Sequence, residues 1–233
     1  MAGRFSVAAH VVVADMDVPV LDPGDAHHLS AVLRLRPGQA VGVTDGAGGW
    51  RPCRFGTGAS LEPEGEVARE HRSGPPLTIA FAPVKGDRPE WAVQKLTEVG
   101  VDRIVLMQTD RGVVRWGDER AGSHLDRLRK VARQAVMQSR GLWLPEVSGV
   151  VPFSSLAAGD GVARAAVGGS PPSLERTTVL VGPEGGWSPE EEAGAVATVG
   201  LGAAVLRSET AAVAAGVLLA ALRSGLVVPA AEA

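Results

Sequence analysis

The residues best suited to chemistry lie in two polar turns near the carboxyl end of the chain. The first, GPEGG from Gly182 to Gly186, follows an apolar run that indicates a buried strand. Its glycines let the backbone approach a ligand closely, and Pro183 stiffens the turn. Because Glu184 would repel phosphate, the turn suits a ligand that carries positive charge or many hydrogen-bond donors. The alternative is a structural turn with a solvated glutamate.

The second turn lies one helix further along, in the sequence LGAAVLRSETAA from Leu201 to Ala212. It again has the order strand, polar turn and helix. Consecutive units of this kind place the ends of their strands at one edge of a sheet, where α/β proteins bind ligands. Ser188 followed by Glu191 predicts a capping box, and Pro189 suits the first helical position. A helix is therefore expected directly after the first turn.

The elements that position these turns belong to the second part of the chain. From Leu77 onwards strands and helices alternate, which is typical of a parallel sheet covered by helices. The pattern predicts strands at 77–84, at 103–108 and near 162–167, and helices at 89–99 and about 119–140. The run from Arg72 to Pro76 breaks the pattern. We therefore expect two domains, 1–73 and 74–233.

Residues before this boundary alternate short apolar runs with turns. Runs at 11–13, 40–43 and 54–55 predict strands, which together favour a small β-barrel. Between them, residues 27–38 have apolar side chains at helical spacing and end in Pro37 and Gly38. Nine acidic residues outnumber seven arginines before residue 75, so charge alone does not identify a partner for this domain.

The composition is that of an ordinary globular protein. The chain has 233 residues, of which 45% are hydrophobic and 21% charged, and a net charge of −3. These values exclude intrinsic disorder. Cys53 is the only cysteine and the five histidines show no ligand spacing, so we expect neither a disulfide nor a metal site. The absence of a signal segment and of a membrane-length apolar run predicts a cytoplasmic protein with no membrane partner.

Basic residues concentrate in the middle of the chain. Between Lys85 and Arg140, twelve basic residues face eight acidic ones, whereas the remainder up to the end has four against nine. On the predicted long helix, Arg127, Lys130 and Gln138 lie away from the apolar stripe. This half is the candidate surface for an acidic partner such as a nucleic acid, and a merely solvated charged surface is the alternative.

Together these motifs resemble the SPOUT-class RNA methyltransferases, and within them the family that methylates N3 of a uridine in small-subunit ribosomal RNA. The resemblance rests on GPEGG, LRSETAA, KLTEVGV from Lys95, TDR at 109–111 and QSR at 138–140, in order along nearly the whole chain. The family usually has threonine at the position of Ser208. It often has arginine at the position of Ala204, so one basic contact is missing here.

The resemblance implies an α/β protein in which an N-terminal PUA-like, RNA-binding β-barrel precedes a C-terminal SPOUT domain. That domain has a mostly parallel sheet and a trefoil knot, which no local pattern reveals. The resemblance also implies a homodimer. The last helix, 209–223, agrees with this because its apolar residues lie on every side, and one domain would leave part of them exposed.

The implied reaction is methyl transfer from S-adenosyl-L-methionine to uracil N3 of uridine 1498 in 16S rRNA, as free RNA or in the small ribosomal subunit. The cofactor would lie between the two turns. The residues implied to bind it are Leu180, Gly182, Pro183, Glu184, Gly185, Gly186, Leu201, Leu206, Ser208, Thr210 and Ala211.

Catalysis requires removal of the N3 proton and stabilisation of the imide anion. The implied catalytic residues are Arg111, Arg140, Arg207 and Glu209, with Glu209 or Glu184 as the base. The implied RNA contacts are Arg4, Arg34, Arg36, Arg115, Arg127, Lys130 and Gln138. Trp187 is either a stacking platform for the turned-out uridine or a packing residue.

Two other functions remain open from the sequence. A related SPOUT enzyme would methylate a ribose 2′-hydroxyl, which requires no deprotonation of an imide. A non-catalytic RNA-binding protein would retain the fold without binding the cofactor.

Overall fold

A computed structural model describes residues 3–114, 118–194 and 196–228. The chain divides into two compact units, one formed by Met1–Arg72 with Arg133–Leu144 and the other by Ser73–Ala132 with Pro145–Ala233. The division passes through the long helix α3, Asp118–Ser139, so that its last residues group with the first unit.

The first unit is built on a five-stranded sheet. Its strands are β1 Ala9–Val12, β2 Ala40–Thr44, β3 Gly49–Phe55, β4 Leu61–Pro63 and β5 Ala68–Arg69. β1 runs parallel to β2, whereas β3 is antiparallel to β2, β4 and β5. Val11, Val41 and Cys53 are fully buried in its core, as the alternation of apolar runs requires.

The helical segment of the first unit begins earlier than the apolar spacing indicates. This segment consists of α1, Pro23–His27, which continues into a π-helical turn, His28–Val32. The unit also has short 3-10 turns at Arg4–Ser6 and Thr57–Ala59. Asp22 caps α1 by accepting a hydrogen bond from the Gly24 amide at 2.8 Å. The helical spacing within residues 27–38 is therefore only partly matched by helix: the cap fixes an earlier start, and the positive φ of 53° at Arg34 ends the turn before Pro37.

Residues 133–144 join the first unit through specific polar contacts. Arg133 donates to the Asp25 carboxylate at 2.5 Å and to the Val12 carbonyl at 2.8 Å. The Leu144 amide donates to the Gly46 carbonyl at 2.8 Å. The end of α3 and the residues after it are therefore part of this unit's structure.

The second unit is built on a six-stranded parallel sheet, which confirms the predicted fold class. Its strands are β6 Thr78–Phe81, β7 Arg103–Gln108, β8 Glu146–Pro152, β9 Val162–Ser170, β10 Thr178–Val181 and β11 Ala197–Val199. They are arranged in the order β11-β9-β10-β6-β7-β8. Besides α3, the helices are α2 Arg88–Glu98, α4 Phe153–Ala157, α5 Pro189–Ala193 and α6 Ser208–Arg223.

The small residues of α6 allow it to pack tightly. A Cβ on Gly216 would lie 2.6 Å from Leu96 Cδ2, so the two helices α2 and α6 approach more closely than a side chain would allow. Arg223, at the end of α6, donates to the Asp102 carboxylate and to the Gly100 carbonyl. The packing at Gly216 therefore sets how closely α6 approaches α2, and the contacts of Arg223 hold the C-terminal end of α6 in place.

The second βα unit differs from the prediction in one respect. Residues 201–206, expected to form a strand, form a loop, and the strand is β11, Ala197–Val199. A Cβ on Gly200 would lie 2.7 Å from the Gly169 carbonyl oxygen, so two backbones meet here without side chains between them. After the Gly200 amide bonds to the Ser170 carbonyl at 2.9 Å, the chain leaves the sheet.

None of the helices in the described ranges is both long enough and apolar enough to cross a membrane.

Candidate cofactor pocket

A cavity of about 230 Å³ lies at the carboxyl edge of the parallel sheet, between the two predicted turns. Its walls are β9, the loop that joins β10 to α5, residues 201–206 before α6, and Ser208 and Ala211 in the first turn of α6. Most of the lining is apolar side chain or glycine backbone, and Glu184 supplies a carboxylate. The location agrees with the general rule for ligand sites in open α/β sheets.

Eight of the eleven residues predicted to bind the cofactor line this cavity. They are Gly182, Pro183, Glu184, Gly186, Leu201, Leu206, Ser208 and Ala211. The other three, Leu180, Gly185 and Thr210, are not among the lining residues: Leu180 is fully buried in a core cluster with Trp187, and Gly185 and Thr210 are exposed. The roles of all eleven in binding stay predictions.

One wall of the cavity was missed by the sequence reasoning. Residues 165–167 of β9 line it, together with Val205, which is 88% exposed. Small apolar residues on a strand carry no motif, so only the neighbouring position of β9 and β10 in the sheet brings them to the site.

The turn that follows β10 needs glycine at two positions for different reasons. A Cβ on Gly182 would lie 3.0 to 3.3 Å from three ring atoms of Trp187. Gly186 has a φ of 71°, which disfavours other residues. The indole is itself fixed, since its Nε1 donates to the Ala165 carbonyl at 3.1 Å and its ring lies 5.2 Å from that of Phe153.

Trp187 is thus a packing residue of the cavity wall. Only 7% of it is exposed, and a role as a stacking platform for a base stays a prediction. The predicted capping box is present: Ser188 Oγ accepts from the Glu191 amide at 3.2 Å, and the Glu191 carboxylate accepts from the Ser188 amide at 2.9 Å. This confirms the prediction that a capped helix begins directly after the turn.

Two carboxylates beside the cavity share one arginine. Arg88 Nη1 lies 3.0 Å from Glu184 Oε1, and Arg88 Nε lies 3.6 Å from Glu209 Oε1. The Glu184 side chain is 58% exposed, whereas that of Glu209 is 10% exposed. Within the described part of the chain, Glu209 Oε2 is buried and has no hydrogen-bond partner. Arg88 was not singled out from the sequence because its partners are distant along the chain.

The three predicted catalytic arginines have different surroundings. Arg111 is exposed and donates from Nη1 to the Gly185 carbonyl at 3.1 Å, so it contacts the outer side of the glycine turn. Arg207 is exposed at the N-cap of α6. Arg140, in the first unit, has a φ of 56° and donates to the carbonyls of Phe5 and Val7.

The predicted RNA-binding residues are spread over both units. Arg34 and Arg36 are exposed in the first unit, where Arg4 lies in the first 3-10 turn. Lys130 and Gln138 are exposed on α3, and Arg127 Nε pairs with Glu90 Oε1 at 3.0 Å. Arg115 lies outside the described residues.

A second cavity, of about 170 Å³, lies between the start of α2 and α3. Its polar lining includes Lys85, Glu90 and His124. Across the described ranges, His, Cys, Asp and Glu side chains form no group of three or more that could hold a metal ion.

Comparison with known proteins identifies the family. A family model described as an RNA methyltransferase domain matches residues 71–220, and one described as an RNA methyltransferase PUA domain matches residues 21–56. The chain belongs to the RNA methyltransferase family. This confirms the resemblance drawn from the motifs and the PUA-like nature of the N-terminal β-structure.

Relatives of this methyltransferase include ribosomal RNA small subunit methyltransferase E of Mycobacterium bovis. The two are 34% identical over 224 residues, which cover 84% of this chain and 83% of the relative. A probable rRNA-methyltransferase from Porphyromonas gingivalis has a TM-score of 0.78 at 27% identity, covering 94% of this chain and all of its own, 100%.

A third relative was solved with a ligand. Ribosomal RNA small subunit methyltransferase E from Neisseria gonorrhoeae, bound to S-adenosyl methionine, has a TM-score of 0.77 to this methyltransferase at 26% identity. The match covers 93% of this chain and 97% of that one.

Proposed function

We propose that this methyltransferase transfers a methyl group from S-adenosylmethionine to N3 of a uridine in 16S rRNA, at the position equivalent to uridine 1498. The observation that carries the proposal is the cavity between the two turns, which has a glycine-lined wall, apolar faces and a buried carboxylate beside it. The family match and the ligand of the Neisseria relative support the choice of cofactor.

The residues of the cavity fit this cofactor. Leu201, Leu206 and Ala211 present apolar surface suited to the faces of an adenine ring, and the backbone of residues 182–186 offers donors and acceptors to its edge. The close approach depends on Gly182, where a side chain would collide with the anchored Trp187. When bound, the cofactor supplies an electrophilic methyl group on positively charged sulfur.

Glu209 is the base in this proposal. Neutral uracil N3 is a poor nucleophile, and its proton must pass to an acceptor as the methyl group is attacked. Glu209 Oε2 has no protein partner within the described chain, whereas Glu184 is mostly exposed and lies closer to Arg88. Arg111 and Arg207 are exposed near the two turns, where a guanidinium stabilises negative charge on the uracil oxygens.

The RNA is held by basic residues of both units. Arg34, Arg36 and Lys130 are exposed and available to phosphates, which supply most of the affinity for nucleic acid. The PUA-domain match supports an RNA-binding role for the first unit. Arg140 acts in this proposal by holding the start of the chain in place, through Phe5 and Val7.

The enzyme works as a homodimer in the cytoplasm, where small subunits are assembled. On α6 of a single chain, Val217 is 44% exposed and Leu218 is half-buried, although the helix is apolar on all sides. A second copy would cover this face in a two-fold arrangement.

The test is methylation of unmodified small subunits and of free 16S rRNA with labelled cofactor, followed by mass analysis of the nucleosides. The proposal expects 3-methyluridine. If the sole product is a 2′-O-methylated nucleoside, the target atom is the ribose 2′-oxygen and the proposed target, uracil N3, is wrong. If no methyl group is transferred to any of the RNAs, the proposed catalytic activity is contradicted. In the same assay, Glu209→Gln should lower turnover by about a hundredfold or more, the typical loss for a general base, with cofactor affinity unchanged.

A further inference from the structure

The glycine turn after β10 is attached to the end of a strand that is not its neighbour. In the sheet, β6 lies between β10 and β7, so no backbone ladder joins β10 to β7. Nevertheless, Asp110 and Arg111, which follow β7, contact the segment from Gly185 to Glu191. These contacts pass over the carboxyl end of β6.

Three hydrogen bonds form this connection, which we call the clasp. The Asp110 amide donates to Glu191 Oε1 at 3.0 Å, Ser188 Oγ donates to Asp110 Oδ2 at 2.6 Å, and Arg111 Nη1 donates to the Gly185 carbonyl at 3.1 Å. A helix cap alone accounts for the bonds between Ser188 and Glu191. It does not account for the hydrogen bond from the Asp110 amide to Glu191, or for the one from Ser188 Oγ to the Asp110 carboxylate.

Glu191 is the centre of the clasp. Its two carboxylate oxygens accept from two different segments, Oε1 from the Asp110 amide and Oε2 from the Ser188 amide at 2.9 Å. The residue is 5% exposed, so neither bond is readily replaced by water. A neutral amide in its place would accept only one of these bonds and would turn an NH₂ group towards the other donor.

We propose that Glu191 and Asp110 are positioning residues that set the conformation of the cofactor-binding turn, so that residues 109–112 and 182–187 order as one body. Neither residue touches the cavity, which is lined by the turn that they hold. The functional part of this inference rests on the proposed cofactor site. The clasp itself is testable without any cofactor.

The experiment compares Glu191→Gln with Glu190→Gln, the same chemical change at the adjacent exposed residue. Hydrogen–deuterium exchange is measured on the cofactor-free full chain. In Glu191→Gln, exchange should rise about tenfold in 109–112 and 182–187 together, the size expected for a lost buried hydrogen bond. Glu190→Gln should match wild type. A rise confined to 182–193 reduces Glu191 to a helix cap and overturns the inference.

A second measurement separates positioning from stability. In Glu191→Gln, the KM for S-adenosylmethionine should rise about tenfold while kcat at saturating cofactor stays within about threefold of wild type. A lower Tm with unchanged KM overturns the inference. If wild type binds no S-adenosylmethionine, the proposed function fails, and the exchange result alone decides the clasp.

Asp110 gives an independent test should Glu191→Gln fail to fold. Asp110→Ala removes the acceptor of the Ser188 hydroxyl but keeps the Asp110 amide bond, whereas Asp110→Asn retains an oxygen acceptor. Exchange in 182–187 should rise severalfold in Asp110→Ala and return close to wild type in Asp110→Asn. Equal exchange in the two variants would overturn the inference.

Discussion

Gly182→Ala is the substitution that most sharply probes the cavity wall. The new Cβ would lie 3.0 Å from Trp187 Cε2 and 3.2 Å from Cζ2, closer than ordinary carbon contacts. The indole cannot move freely, because its Nε1 donates to the Ala165 carbonyl at 3.1 Å and its ring packs on Phe153. Either this hydrogen bond lengthens or the turn shifts into the cavity.

Overpacking of this kind costs about 1–3 kcal/mol. If this strain energy destabilises the conformation of the turn that binds the cofactor, the affinity for the cofactor drops by about 5- to 150-fold, at 1.4 kcal/mol per factor of ten. Isothermal titration calorimetry with S-adenosylmethionine measures the drop, and thermal unfolding shows whether the fold persists. Gly185→Ala should be milder, since its Cβ would lie 3.5 Å from Arg111 Cβ.

The matched control is Gly194→Ala, just after α5 and outside the cavity. Its backbone has a φ of −60°, which alanine adopts, and its Cβ would come no closer than 3.6 Å to the Glu191 carbonyl oxygen. Affinity should therefore stay at the wild-type value. If Gly182→Ala binds the cofactor as wild type does, the steric account of this turn is wrong.

Three further predictions concern other parts of the molecule. Arg140→Ala should lower thermal stability and turnover on RNA but leave the Kd for S-adenosylmethionine unchanged, because its guanidinium holds the Phe5 and Val7 carbonyls; lost cofactor binding in a folded variant would contradict this. Leu218→Glu should lower dimer content and methyl transfer together, since it places a carboxylate in the proposed apolar interface; light scattering that gives a monomer mass for active wild-type protein would refute the dimer. Burial raises the pKa of the Cys53 thiol from 9.0 to about 11, so its contribution to stability is complete below pH 9 and is lost as the pH rises through about 11. Stability curves of wild type and Cys53→Ala should therefore converge across that window, and curves that stay parallel would show that the thiol does not titrate there.

The elements with strong local signals were predicted well from the sequence. The helix at 89–99 appears as α2, Arg88–Glu98, and the long helix as α3, Asp118–Ser139, because apolar spacing and flanking proline or glycine fix such segments. The capping box at Ser188 could be predicted because its two residues, Ser188 and Glu191, are only three positions apart. The family followed from motifs whose order along the chain is itself informative.

The remainder depends on contacts between distant residues. Residues 201–206 have the composition of a strand but form a loop, because the strand that pairs with β9 is β11, Ala197–Val199. Arg88 forms ion pairs with Glu184 and Glu209, both of which are more than ninety positions away along the chain. The grouping of 133–144 with the first unit likewise follows from tertiary contacts. The trefoil knot, the homodimer and the individual site roles stay predictions.

A crystal structure of this methyltransferase with S-adenosylmethionine tests the central claim most directly. The cofactor is predicted to lie between residues 182–187 and 201–208, with its adenine against Leu201, Leu206 and Ala211. Density for the cofactor in the second cavity, beside Lys85 and His124, or at any site away from these two turns, would contradict the account.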